Sequence, residues 1–79
     1  MSLLEFRVWL LDDQGNNQDR EVIINSRPSA RYTGEIIYKE AGHHRISLVD
    51  PPNFSPEEQE IALSLEDEEI REVEFNLED

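Results

Sequence analysis

Two histidines, a cluster of oxygen-bearing turn residues and a single tryptophan are the side chains of this chain with the most chemistry to offer. His43 and His44 are its only imidazoles. A zinc site or a general base needs a constellation of further groups around an imidazole. Neighbours on a strand point to opposite faces, so this pair cannot readily chelate one ion together. No partner set stands out in the sequence, and both histidines read as turn residues. Asp12, Asp13, Asn16, Asn17 and Asp19 form the second group. Converging carboxylates and carbonyls bind calcium, and Asp12, Asp13, Asn17 and Asp19 are the candidate ligands. The run lacks the acids at alternate positions of an EF-hand loop, however, and a plain hairpin turn accounts for the same residues. Carboxylates abound elsewhere, but a general acid needs a pocket that raises its pKa, and a core of 79 residues leaves little room for one. There is no activated nucleophile, no Gly-rich phosphate loop and no metalloprotease motif. The expectation is a protein that is not an enzyme and carries no cofactor.

The elements that must position these residues follow a period of two. Leu4, Phe6, Val8 and Leu10 alternate with Glu5, Arg7, Trp9 and Leu11, so the first set faces a core and Trp9 lies outward beside Arg7. An exposed Trp next to an Arg is a common interface anchor; the competing expectation is that a loop or edge covers the ring. Residues 12–17 are dense in turn formers, and residues 20–25 return as a second strand. Pro28 is expected to end any ladder within a 26–29 loop. A third strand is predicted over 31–39, with Tyr32, Gly34, Ile36 and Tyr38 on one side and both tyrosines in the core or at its rim. A turn over 40–43 leads to a strand at 45–49. Pro51 and Pro52 demand an extended loop, under which Phe54 is expected as a plug.

The segment after Phe54 is ambiguous. Ser55-Pro56-Glu57-Glu58 has the cap, proline and glutamate of a helix start. Two alternations argue otherwise: Ile61/Leu63/Leu65 and Val73/Phe75/Leu77. Glu66-Asp67-Glu68-Glu69 would also set like charges three and four residues apart in mid-helix. The sequence therefore predicts one helical turn near 55–59, then two strands joined at 66–69. The result is an all-β fold: a small antiparallel β-sandwich of six to seven strands, immunoglobulin-like or prealbumin-like, in one domain over 1–79.

Composition narrows the role. The net charge of −12 and the scarcity of clustered Lys and Arg exclude nucleic acid as a natural partner. No apolar run reaches the length of a membrane span, and the first residues lack a basic start and long apolar stretch. Without Cys there is neither a disulfide framework nor a thiolate metal site. The acids crowd the last third, from Glu57 to Asp79, with Arg71 the only base among them. That crowding reads as a solvated face that keeps the edges unpaired, or as a docking face for a basic partner.

The order of motifs is Tyr32-x-Gly34-x-Ile36-x-Tyr38, Ala41-Gly42-x-His44-x-Ile46-x-Leu48, Pro51-Pro52-Asn53-Phe54 and Val73-x-Phe75-x-Leu77. It resembles the prealbumin-like B-type repeats of bacterial surface adhesins and the related carboxypeptidase regulatory-like domains; immunoglobulin-like modules share much of it. The resemblance covers most of the chain and implies a non-enzymatic spacer or binding module. Many such repeats carry an internal bond between a first-strand Lys and a last-strand Asn. Here Asn76 is expected to point outward, the only Lys is Lys39, and the first strand offers Arg7, which cannot be that nucleophile. The bond is expected to be absent.

The sequence thus predicts a structural or protein-interaction module of a larger protein. Arg7, Trp9 and Leu11 would form one patch and the acidic strands, with Glu72 and Glu74, another. Exposed edges would allow pairing with a partner, a neighbouring module or a second copy. The alternatives are a small calcium- or carbohydrate-binding domain and a stand-alone acidic regulator of a basic protein. A module of a longer chain would be extracellular or on the cell surface, a stand-alone protein cytoplasmic.

Overall fold

Alternation of apolar and polar residues generates strands here because each strand then offers one face to a partner sheet. The computed structural model describes residues 3–49 and 53–78. Its strands are β1 (Leu4–Leu11), β2 (Glu21–Ile24), β3 (Arg27–Tyr32), β4 (Ile36–Lys39), β5 (Gly42–Leu48), β6 (Phe54–Ser55), β7 (Gln59–Leu63) and β8 (Arg71–Leu77). They form two four-stranded sheets, a front sheet in the order β4-β1-β8-β6 and a back sheet in the order β3-β2-β5-β7. The described strand pairs are antiparallel except one: β8 runs parallel to β1 at the centre of the front sheet, with Val8 opposite Val73 and Leu10 opposite Phe75. The fold class is the expected β-sandwich, with eight strands in place of six or seven.

The inward faces meet in a continuous apolar layer. The front sheet supplies Phe6, Val8, Leu10, Ile37, Phe54, Val73 and Phe75, and the back sheet Val22, Ile24, Ile46, Leu48, Ile61 and Leu63. Phe54 is buried as a residue of β6, packed edge-on against Phe75 with ring centroids 5.6 Å apart. Phe6, Val8, Leu10, Val22, Ile46 and Phe75 are completely buried. Each contributes about 1.5–3 kcal/mol of transfer free energy, more than the net ~1 kcal/mol of a typical hydrogen bond. In a chain without disulfides, packing between the sheets is the dominant source of stability.

Several expectations are corrected. The 31–39 strand is two strands, because the chain leaves the back sheet at Tyr32 and enters the front sheet at Ile36. Gly34 makes that crossing at φ +93°, and its N–H donates to the Val8 oxygen at 2.8 Å. The break reverses the phase: Ile37 turns inward, while Tyr32 and Tyr38 are 48% and 54% exposed and belong to neither core nor rim. Pro28 does not end the ladder. It sits in β3, opposite Ile23, at the edge of the back sheet, where a missing N–H does no harm. The tight turn before it is Asn25-Ser26, both at positive φ, as a two-residue hairpin requires. His43 is not in a turn but on β5, which starts at Gly42.

The ambiguous segment is strand, as the alternation predicts, but no helical turn forms at 55–59. Ser55 continues β6 beside Asn76, a bend follows, and Gln59 begins β7. A helix there would compete with burying Phe54 in the front sheet and Ile61 in the back one. The last two strands do not pair with each other: β7 joins β5 and β8 joins β1 and β6. Their connection crosses between sheets, so Leu65 is 70% exposed and not part of the inward set. Residues 12–17 make the expected hairpin turn, closed by an antiparallel bridge between Leu11 and Asn17 and by bonds from Asp12 N–H to the Asn16 oxygen and Gln18 N–H to the Leu10 oxygen, before the chain crosses to β2 in the other sheet. The Pro51-Pro52 loop and the first two residues lie outside the described residues.

Leu10→Ala should lower stability by about 2–5 kcal/mol, whereas Leu65→Ala should stay within about 0.5 kcal/mol of the parent. Urea unfolding midpoints measure both; comparable losses would contradict the inward and outward assignment of these two leucines.

Candidate functional site

Inward packing of Phe6, Val8 and Leu10 leaves Arg7, Trp9 and Leu11 on the outer face of β1. By the same alternation Val73 and Phe75 leave Glu72, Glu74 and Asn76 on the outer face of β8. The parallel register then sets Arg7 opposite Glu72, Trp9 opposite Glu74 and Leu11 opposite Asn76. The hydrophobic patch and the acidic patch that the sequence presents separately are therefore one surface. Ile36 and Tyr38 of β4 join it, opposite Arg7 and Glu5. Sequence reasoning missed these two because it placed them in the inward phase; the signal was Ile37, a third apolar residue in that run.

Trp9 is held in place. Its indole Nε1–H donates to Glu72 Oε1 at 2.9 Å, and the Arg7 guanidinium carbon lies 5.3 Å from the ring centroid. The ring is half-buried, with the 33–35 turn against its edge: a Cβ on Gly34 would come 3.0 Å from Asn17 Nδ2 and 4.0 Å from Trp9 Cζ3. A tryptophan fixed by a carboxylate on one strand and stacked by an arginine on its own is pre-ordered, so little side-chain entropy is left to lose on contact with a partner.

The oxygen-rich turn spends its ligands on itself. Asp12 Oδ1 accepts from the N–H groups of Gln14 at 2.9 Å and Asn16 at 2.8 Å, and Oδ2 accepts from Gln18 Nε2 at 2.9 Å. Those donors, the Asn16 N–H first, hold its carboxyl below the ordinary value of 3.8. Asn17 accepts from Leu10 N–H and donates to the Thr33 oxygen, both at 3.1 Å, clamping β1 to the 33–35 turn. Asp13 and Asp19 are exposed. Among the described residues no three His, Asp or Glu side chains are placed to hold a metal ion.

The histidines diverge as adjacent strand residues must. His43 is exposed and 3.3 Å from Glu60 of β7, whereas His44 joins the inward set of β5 and is buried. Asn25 Oδ1 accepts from Arg45 N–H, which orients its amide nitrogen towards His44 Nδ1 at 3.1 Å. His44 Nε2 is then the donor to the Glu40 oxygen at 2.8 Å. Both ring nitrogens thus close the end of the core and leave no lone pair for a ligand.

Compared with known proteins, the chain matches no protein-family model, no curated protein and no solved structure.

Since the Asp12 carboxyl is held low, its stabilisation is fully present above its ordinary value of 3.8 and is lost as pH falls through the lower folded value. Asp12→Ala should therefore melt below the parent at neutral pH, with a gap that narrows in acid below that ordinary value. A gap unchanged from pH 7 into strong acid, followed by thermal melts, would contradict it.

Proposed function

We propose that this chain is a non-enzymatic protein-interaction module that binds a protein partner or a neighbouring module through the outer face of its front sheet. One observation carries the reading: β1 and β8 assemble Arg7, Trp9, Leu11, Glu72 and Glu74 on one face, with Trp9 fixed between Arg7 and Glu72. Trp, Tyr and Arg are the residues that most often dominate binding energy, and here Tyr38 borders the same face. Glu5, Glu72 and Glu74 surround the aromatic centre, so the complementary partner surface has an apolar middle and cationic margins. The non-enzymatic reading is supported by the use of Asp12, Asn17 and His44 as structural fasteners.

The strand order bears on the family resemblance. In the constant-type immunoglobulin arrangement the first two strands share a sheet. Here β1 and β2 lie in different sheets, and β1 is flanked by β4 and β8. That order favours the prealbumin-like side of the resemblance, and with it a spacer or adhesive module.

A partner captured on the immobilised protein should bind Trp9→Ala at least ~30-fold more weakly, the effect of losing an anchor worth about 2 kcal/mol. Glu72→Lys should weaken it too, while Ala62→Ser on the back sheet should leave it unchanged. Equal affinities across the three variants, measured by calorimetry, would remove this face as the binding surface.

A further inference from the structure

On one flank of the sandwich, the edges of β3 and β4 part and leave an open groove. Ile24 and Ile37 form its floor with Leu3, and Arg27, Arg31 and Lys39 stand around it. The rest of the chain's seven Lys and Arg residues are engaged: Arg7 on Trp9, Arg20 with Asn53, Arg45 with Ser26 and Arg71 on the Ala62 oxygen. The three groove cations have no ion pair or side-chain hydrogen bond among the described residues. In a chain with 19 Asp and Glu, three unpaired cations gathered around an apolar floor make a receptor for an acidic segment with apolar ends.

The chain itself carries such a segment. In the 64–70 loop, Asp67 is turned back to accept from Ser64 N–H at 3.0 Å, while Glu66, Glu68 and Glu69 project from the surface. Leu65 and Ile70, at either end, are 70% and 43% exposed. Three free carboxylates between two apolar residues match three free cations around an apolar floor. Leu3 lines both the groove and the hollow beside residues 67–70, so the two surfaces adjoin. A two-fold rotation that seats one copy's loop in its partner's groove therefore seats the second loop reciprocally.

We propose that the β3/β4 groove is the docking site for the 64–70 loop of a second copy of this chain, in a two-fold dimer. The net charge of each copy opposes association at long range, but the Debye length is about 8 Å at physiological ionic strength, so the local pairs govern contact there. The groove shares Tyr38 with the margin of the outer face of the front sheet but is not lined by Trp9, so its test does not depend on the function proposed for that face.

Sedimentation equilibrium of the intact chain, at about 0.15 M salt, tests it. The wild type should show a monomer–dimer equilibrium. Arg27→Glu with Arg31→Glu, and separately Glu66→Arg with Glu68→Arg, should each weaken self-association about tenfold or more. Mixing the two double variants restores complementary charge at both contacts and should yield a heterodimer. Trp9→Ala should leave dimerisation unchanged. On dilution of the unaltered protein, NMR shifts should move at residues 27, 31, 39, 66, 68 and 69. A wild type that stays monomeric at about 1 mM overturns the proposal, as do double variants that dimerise normally and a mixture that stays monomeric. So does a dimer abolished by Trp9→Ala, or one whose dilution shifts lie elsewhere.

Discussion

The parallel pairing of β1 with β8 is the constraint on which the rest of this molecule depends. It joins the first strand to the last at the centre of the front sheet, and it sets Val8 against Val73 and Leu10 against Phe75 in the core. Alternation then carries the consequence to the other side of the sheet. Because the inward residues are in register, Arg7 and Trp9 must meet Glu72 and Glu74 on the outer face. Stability and the candidate binding surface thus come from one ladder read from its two sides. A shift of one residue in β8 would bury its glutamates and expose its core residues together.

Most of the strands were legible because each buries one face. Phe6, Val8 and Leu10, Ile46 and Leu48, and Val73 and Phe75 lie where a period of two puts them. The alternation after Phe54 outweighed the Ser-Pro-Glu-Glu helix signal, since two sheets need those apolar residues more than a cap needs its turn. Local pattern fails where the chain changes sheets. Tyr32 to Tyr38 alternates well enough for one strand, yet Gly34 at positive φ and the buried Thr33, whose hydroxyl binds the Gln18 oxygen at 2.7 Å, mark a crossing. Partner choice is also invisible in a local window. Nothing in Glu72 or Glu74 announces that Arg7, more than sixty residues earlier, will be the neighbour, so the candidate face was legible as two parts and not as a whole.

The edges show how a small sandwich of this kind limits unwanted pairing. β6 has only two residues, β3 carries Pro28 and a positive-φ Ala30, and Arg71 reaches across to the Ala62 oxygen at the edge strand β7. Gln59 donates to the Glu74 oxygen and ties β7 of one sheet to β8 of the other. The four consecutive acids Glu66 to Glu69 sit where the chain crosses between sheets at 64–70, so their mutual repulsion acts on a loop that has no ladder to break.

Native-state hydrogen exchange is the most direct test of the β1–β8 ladder. The amides shared by these strands should be among the slowest in the chain, opening only with global unfolding, while those of the 64–70 loop exchange fast. Amides of β8 that exchange as quickly as that loop while β5 stays protected would mean that the last strand is not anchored on the first.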